Sequence, residues 1–452
     1  MTECTTTPLS FSSLAHRRLE ADFHGGDLTA DAGALLLREA DRRLGLLDAL
    51  DGAIPDPRHP ERTTHPQRAL LSQRIFGIAL GYEDLNDHTT LRHDPLWQVL
   101  ADYQPDNDQP LASASTLCRL ENRAHRRSLV AMAEVLVEQF IASFDEPPES
   151  LVLDFDATDD PVHGRQEGRF FHGYYDNYCF LPLYVFCGDQ LLVAYLRTAD
   201  GDPARHSRAI LKLLVQRLRR AWPSVRLIVR GDSGLCRWRM MRWCDRHGIG
   251  YLFGVARNPR LERLARPWTQ AAAACWARTH QPQRLFGEFA YQADSWDRPR
   301  RVLVKAEHGA QGDKPRFVVT NLPGQAWALY EVLYCARGEM ENRIKEQQLM
   351  LFADRTSCHK FVANQFRLLL SAMAYVLVEA VRRLGLRGTP WERAHVSTIR
   401  LRLFKVAGLV QVSVRRVYVR LASGFPLQEL FGAVLRRLQG AAGTAGELPG
   451  DG

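Results

Sequence analysis

Nine cysteines are present, yet none forms a Cys-x-x-Cys pair. That absence excludes a disulfide framework and a structural zinc site, and implies reduced, intracellular thiols. The beginning of the sequence lacks a charged-then-apolar signal pattern. Long hydrophobic runs are missing too: the most apolar stretch, LLLSAMAYVLVEAV at 368–381, is short for a bilayer and is interrupted by Glu379. It reads as a buried core helix, so the expectation is a cytoplasmic protein with no membrane partner. There is no internal repeat, and the one biased segment is the Gly/Ala-rich end, 439–452, expected to be a disordered tail.

What is present is a chain of 452 residues, enough for two or three domains, with a formal net charge of +8. The positive charge is clustered, as RAHRR at 123–127, RLRR at 217–220, RWRMMRW at 237–243 and RPRR at 298–301. Clusters of this kind suit a polyanion, and solvated helix faces look the same. In the third cluster Arg237 and Trp238 stand side by side, a pairing that can grip a phosphate and stack on a base; a tryptophan in a core gives the same pattern.

Residues 1–148 read as mostly helical, with apolar residues three and four apart in LTADAGALLLREADRRLGLL, HPQRALLSQRIFGIALGYEDL and SLVAMAEVLVEQFIASF. SASTLCRLENRAHRR, 113–127, reads as a helix for a DNA groove, or as an amphipathic packing helix. From 149 to 259 the order becomes βββαβαβ, ending in the continuous apolar strand VRLIVRGD, the helix RWRMMRWCDRHG and the strand YLFGVA. That order describes a mixed sheet with helices packed on it, the way a ribonuclease H-like α/β fold begins. Residues 260–326 read as a β-rich insertion, and 327–438 as a helix completing the core followed by a helical, then strand-like, C-terminal region.

LVLDFDATDD, 151–160, raises the chemical question. On a strand, Asp154 and Asp156 face the same side. Two carboxylates about 4 Å apart repel by roughly 4 kcal/mol at an effective dielectric of about 20. A bound cation, a shared proton or an arginine can offset that. Asp232, in VRGDSG, lies just past the buried strand at 225–229, where ligands gather in such sheets; it also suits a turn or helix cap. In YCARGEMENRIKEQQ, 334–348, Tyr334, Arg337, Glu341, Lys345 and Gln348 form one polar stripe, which alone is equally an ordinary solvated face. His163, His172 and the tyrosine-rich run 174–178 follow the first strand and read as loop or packing residues.

Taken together, DAT on the first strand, GDSG after the fourth and Tyr334-x2-Arg337-x3-Glu341 beyond the insertion resemble the DDE transposases of bacterial insertion sequences. LDFDATDDPVHG, RGEMENRIKE and NQFRLLLSAMAY resemble the insertion sequence thirteen-eighty family in particular, with similarity from about residue 20 to 435. The resemblance implies a ribonuclease H-like core, a DNA-recognising N-terminal region, and Asp156, Asp232 and Glu341 as catalytic acids holding two Mg2+ ions, with Mn2+ an alternative. Asp154 is then a supporting acid, or the first catalytic acid if the register shifts by two. Tyr334 and Arg337 are implied to approach the DNA end. Relatives carry a lysine where this chain has Gln348, so Lys345, one turn past Glu341, is the substitute cation. The implied activity is cleavage at the element's ends and joining of the freed 3′-hydroxyls to target DNA, by a homodimer that pairs two ends near the nucleoid. A metal-dependent nuclease of the same fold, a catalytically silent DNA-binding protein and a glycosidase using the paired acids are the alternatives.

Overall fold

Leu151, Leu153 and Phe155 are buried on one side of a strand, and Asp154 is buried on the other. A strand buried on both faces must sit inside a sheet with layers above and below it. The computed structural model, which describes residues 8–105 and 109–440, shows that arrangement. The strands are β1 (Ser150–Ala157), β2 (Leu183–Cys187), β3 (Gln190–Tyr195), β4 (Arg226–Gly231), β5 (Gly250–Val255), β6 (Gln283–Tyr291), β7 (Arg300–Gly309) and β8 (Arg316–Thr320). Their order across the sheet is β6-β7-β8-β5-β4-β1-β2-β3, with Gly312–Asp313 pairing the end of β7 as a ninth strand. β4 runs parallel to both β1 and β5, whereas β1–β2 and β5–β8 are antiparallel. This is the mixed sheet implied by the βββαβαβ pattern.

One face is covered by α1 (Arg126–Ala142), α2 (Ser207–Ala221), α3 (Trp238–Arg246) and α4 (Pro259–Thr279). In α2 the spacing of Leu211, Leu214, Val215 and Leu218 puts one apolar stripe on the strands. The other face carries Asp154, Arg230 and a smaller apolar cluster of Leu252, Leu303, Val318, Leu329 and Tyr330. The segment 328–350 lies there; its α-helical part, α5 (Gly338–Lys345), follows a π-helical turn at Ala328–Tyr334 and a 3-10 turn at Cys335–Arg337, and leads into a second π-helical turn at Glu346–Met350.

The stretch 260–326, expected as a β-rich insertion, is in its first third a helix. It opens with α4, started by Asn258, whose Oδ1 accepts the Leu261 N–H at 3.0 Å, and by Pro259 at the first helical position. Its strands extend the main sheet, because β8 pairs with β5. The expected helix at 113–127 is two helices, Ala114–Asn122 and α1, since His125 is extended and its ring accepts the Ser128 N–H as a cap. The apolar helix α6 (Phe361–Ala380) continues to Gly385 as one of 25 residues, longer than the apolar stretch read from sequence. By length and composition it passes for a membrane span, but 78% of its most apolar window is buried within the fold. Gln365 donates to the Ala194 carbonyl at 3.1 Å, and the Tyr375 hydroxyl donates to the Asp189 carbonyl at 2.6 Å, fixing α6 to the β2–β3 edge.

The chain divides into two units: the sheet with its helices occupies 44–57 and 119–379, and the second contains residues up to 43, 58–118 and from 380 onward. Among the described residues the regular structure of the second is helical apart from an exposed hairpin, Leu9–Leu14 with Arg17–Ala21, and a hairpin, Gly408–Ser413 with Arg416–Leu421, that adds Leu28–Thr29 as a third strand. Its core encloses Asp31, which accepts from the Tyr82 hydroxyl (2.8 Å), the Trp97 indole (3.1 Å) and Lys405 Nζ (2.7 Å). From residue 441 the expected tail lies outside the described residues.

Gly287 on β6 has no room for a side chain: a Cβ there would meet the Trp268 ring of α4 at 1.9 Å. Gly287→Ala should therefore displace Trp268 and destabilise the protein by about 1–3 kcal/mol in urea unfolding; an unchanged midpoint would show that α4 does not depend on this contact.

Candidate active site

The parallel register of β1 and β4 places Asp154 directly beside Arg230. Arg230 grips Asp154 through two bonds, Nε–Oδ1 at 2.5 Å and Nη2–Oδ2 at 2.6 Å, and its remaining Nη1 donates to the Leu333 carbonyl at the start of the helical segment above. Both side chains are buried. Burial pushes the Asp154 carboxyl above the usual carboxylate range, against the pull of Arg230. With both oxygens engaged, Asp154 is a structural anchor between sheet and helix, which separates it from Asp156.

Two residues further on, Asp156 faces the same side and meets a different arginine. Arg337 Nη1 donates to Asp156 Oδ2 at 3.0 Å, while its Nη2 donates to Glu341 Oε1 at 3.1 Å. One guanidinium therefore bridges acids from a strand and a helix. Arginine is thus the offset present between the paired strand acids, one for each carboxylate. Asp232 caps the turn after β4, with Oδ1 accepting the Leu235 N–H at 3.2 Å, so its turn role holds. Its charge is also felt by Asp156, Tyr334 and Arg337, so the three acids occupy one electrostatic neighbourhood. Burial raises the Asp156 carboxyl to about 6, and Asp232 and Glu341 push the same way, outweighing Arg337. The same carboxylates raise Arg337 and hold it charged against its own burial.

Tyr334 reaches this neighbourhood because β5 offers it a glycine. A Cβ at Gly254 would stand 2.8 Å from the Tyr334 hydroxyl and 3.1 Å from the Ser233 nitrogen, so the ring end slides beneath the Asp232 turn. Gln348 turns the other way. Its Nε2 donates to the Asp159 carbonyl at 2.9 Å and to Asp160 Oδ1 at 2.7 Å, and the wholly buried Asp160 has its carboxyl raised well above the usual range. The amide thus serves the interior, while Lys345 is exposed one turn from Glu341.

Other expected residues are placed differently. Arg237 is paired bidentately with Asp202, at 2.9 and 2.7 Å. Trp238 packs partly against the sheet core, with Arg239 and Arg242 lying over its ring at 5.4 and 5.9 Å. Its ring is thus already engaged on the protein. Tyr175, in the hairpin after β1, is half-buried and raised to about 12 by burial and by nearby acids, including Asp156 and Asp232. Arg230 was the residue missed by sequence reasoning, although a cation inside the apolar run VRLIVRGD is a visible signal.

Hard carboxylate oxygens from Asp156, Asp232 and Glu341 suit a divalent ion such as magnesium, and a cation already bridges two of them. Among the described residues no three of His, Cys, Asp and Glu stand close enough to enclose an ion. The oxygen donors are of the type that suits a hard divalent ion, but the three acids do not close around one position here, and Arg337 holds the cationic place between Asp156 and Glu341.

Two measurements test this account. Arg230→Leu leaves the Asp154 carboxylate buried without its fork and should cost about 3–5 kcal/mol, most of it recovered in Asp154→Leu/Arg230→Leu. Wild-type stability in the single variant would contradict the anchor role. The second concerns pH in metal-free buffer. Asp156 holds its proton to about 6 in the fold but releases it near 3.8 when unfolded, so its stabilising contribution is complete below about 3.8 and lost as pH rises through about 6. Asp156→Asn should flatten the stability profile across that window by on the order of 2–3 kcal/mol; an identical profile would place the titration elsewhere.

No curated protein matches the sequence. A cryo-EM structure of the piggyBac transposase synaptic complex with hairpin DNA is similar at a TM-score of 0.40 and 9% identity, covering 92% of this chain and 83% of that one. The family model described as transposase DDE domain group 1 matches residues 11–442, nearly the whole length, and the chain therefore belongs to that family of DDE transposases.

Proposed function

We propose that the protein cuts DNA at the ends of an insertion sequence of the thirteen-eighty type and joins the freed 3′-hydroxyls to target DNA. The carrying observation is the single Arg337 guanidinium that binds Asp156 and Glu341 together, beside Asp232. On this reading the sheet and the segment 328–350 are the halves of a ribonuclease H-like core, and Asp156, Asp232 and Glu341 hold two divalent ions, magnesium or manganese. Bound there, such ions supply Lewis acidity and a nucleophilic oxygen for substitution at phosphorus. Two successive substitutions at one site account for both cutting and joining.

The chain's own residues do the rest. Asp156 must be ionised to accept a cation, so its raised carboxyl makes ion uptake favour a pH above about 6. With Asp156 and Glu341 holding ions, Arg337 would be free to offer its planar fork to the phosphate beside the scissile bond. Tyr334, held under the Asp232 turn, limits where the DNA end can lie, and the exposed Lys345 adds a point charge along the same helix. Arg230 and Asp154 keep strand and helix in place without touching substrate. Arg237 and Trp238 lie five and six residues beyond Asp232 and border the DNA path. Two protomers pair the two element ends, and the helical unit reads the terminal sequence.

Incubation with a duplex carrying the element end, target DNA and Mg2+ tests the reading. Wild-type protein should yield joined products, while Asp156→Ala, Asp232→Ala and Glu341→Ala should each lose joining to background yet still bind the end. Full activity in any of the three would refute the assignment. Cutting without joining, even from pre-cleaved ends, would make the protein a nuclease on the same scaffold.

A further inference from the structure

Away from the carboxylates, α2 and α3 open their first turns onto one cleft of about 550 Å3. Neither helix start has a side-chain cap: the preceding residues are His206, at φ 66°, and the extended Arg237. Uncapped first-turn N–H groups carry partial positive charge, and here two sets of them border the same space. The walls add Arg205, Arg208, Lys212 and Arg237. The one acid among them, Asp202, is spoken for by the Arg237 fork and by the Ala204 N–H at 2.9 Å. Arg208 and Lys212 are exposed, one turn apart on α2, with no acidic partner among the described residues. The cleft is therefore strongly cationic.

A separate observation points to a ligand. Ser207 lines the cleft at the start of α2, is only 2% exposed, and its hydroxyl has no hydrogen-bond partner in the protein. A buried hydroxyl left unpaired is costly, and native folds satisfy such groups with protein, water or ligand. A tetrahedral oxyanion brings several acceptors at once, matching a lone hydroxyl, orphan N–H groups and paired cations.

We propose that this cleft binds a phosphate of the DNA backbone, at a site separate from the carboxylate cluster. The inference rests on DNA being the substrate. Arg237 stands five residues past Asp232, at most about 18 Å along an extended chain. At about 3.4 Å per base step, that reach covers roughly five base pairs from the scissile phosphate. The cleft then sets the register of the duplex on the sheet by charge and shape, without reading bases. Trp238, already packed under its arginines, is part of the wall.

The test uses the full chain in four forms: wild type, Ser207→Ala, Arg208→Ala/Lys212→Ala, and Arg226→Ala as a control at the opposite end of β4. Duplex binding is measured without metal across a salt series. The double variant should flatten the slope of log K against log salt by about two, Ser207→Ala should weaken binding several-fold at fixed salt, and Arg226→Ala should do neither. Equal slopes in wild type and double variant overturn the proposal. A second arm replaces chloride by inorganic phosphate at equal ionic strength and follows melting. A phosphate-induced rise lost in Ser207→Ala, together with the flattened DNA slope, supports a backbone phosphate; the same rise with an unchanged slope assigns the cleft to a free anion and overturns the DNA assignment. If wild type binds no duplex, the reading of the protein as a DNA enzyme fails as well, and the phosphate arm alone then shows whether an anion site exists. Melting of all four forms in chloride establishes that each is folded.

Discussion

The fork between Arg230 and Asp154 is the constraint on which the site depends. It joins adjacent parallel strands inside the sheet, where a slip of one strand by one residue puts the two side chains on opposite faces and leaves both charges without partners. The pair therefore selects one register of β1 against β4. That register brings Asp156 and Asp232 to the same end of neighbouring strands. The third reach of Arg230, to the Leu333 carbonyl, then ties the segment bearing Tyr334, Arg337 and Glu341 to the same point. Three distant pieces of chain are aligned by one guanidinium.

Above that anchor the electrostatics are balanced on purpose-built tension. Asp156, Asp232 and Glu341 repel one another, and Arg337 holds two of them while itself largely withdrawn from water. Such a cluster needs a cation among the acids to offset their repulsion, and here the Arg337 guanidinium supplies it. The π-helical turns on either side of α5 matter here, since irregular helix is where a backbone adjusts with least loss of hydrogen bonding.

Much of this was legible in the sequence. Period-two patterning gave the strands, and the alternation in LVLDFDA set Asp154 and Asp156 on one face, as they are. That Asp156, Asp232 and Glu341 share one electrostatic neighbourhood was foreseen only through motif resemblance, because no local pattern relates residues so far apart along the chain. Other features escaped for physical reasons. The helix α4 was hidden because Pro267 and four consecutive alanines blur its apolar stripe. The break at Arg123–His125 depends on one histidine acting as a cap, a choice that side-chain geometry decides. Gln348 looked like a lost cation, and its inward turn to Asp160 is a matter of tertiary packing.

The apolar helix from Phe361 to Gly385 has a bearing on how the protein is made. Outside its fold it is a segment that a membrane insertion machinery or an aggregate would accept. Its docking groups at Ala194 and Asp189 precede Gln365 and Tyr375 by 171 and 186 residues, so the ribosome delivers the receiving sheet edge first. The helix emerges to a waiting surface, and synthesis order itself protects the cell from the most adhesive part of the polypeptide.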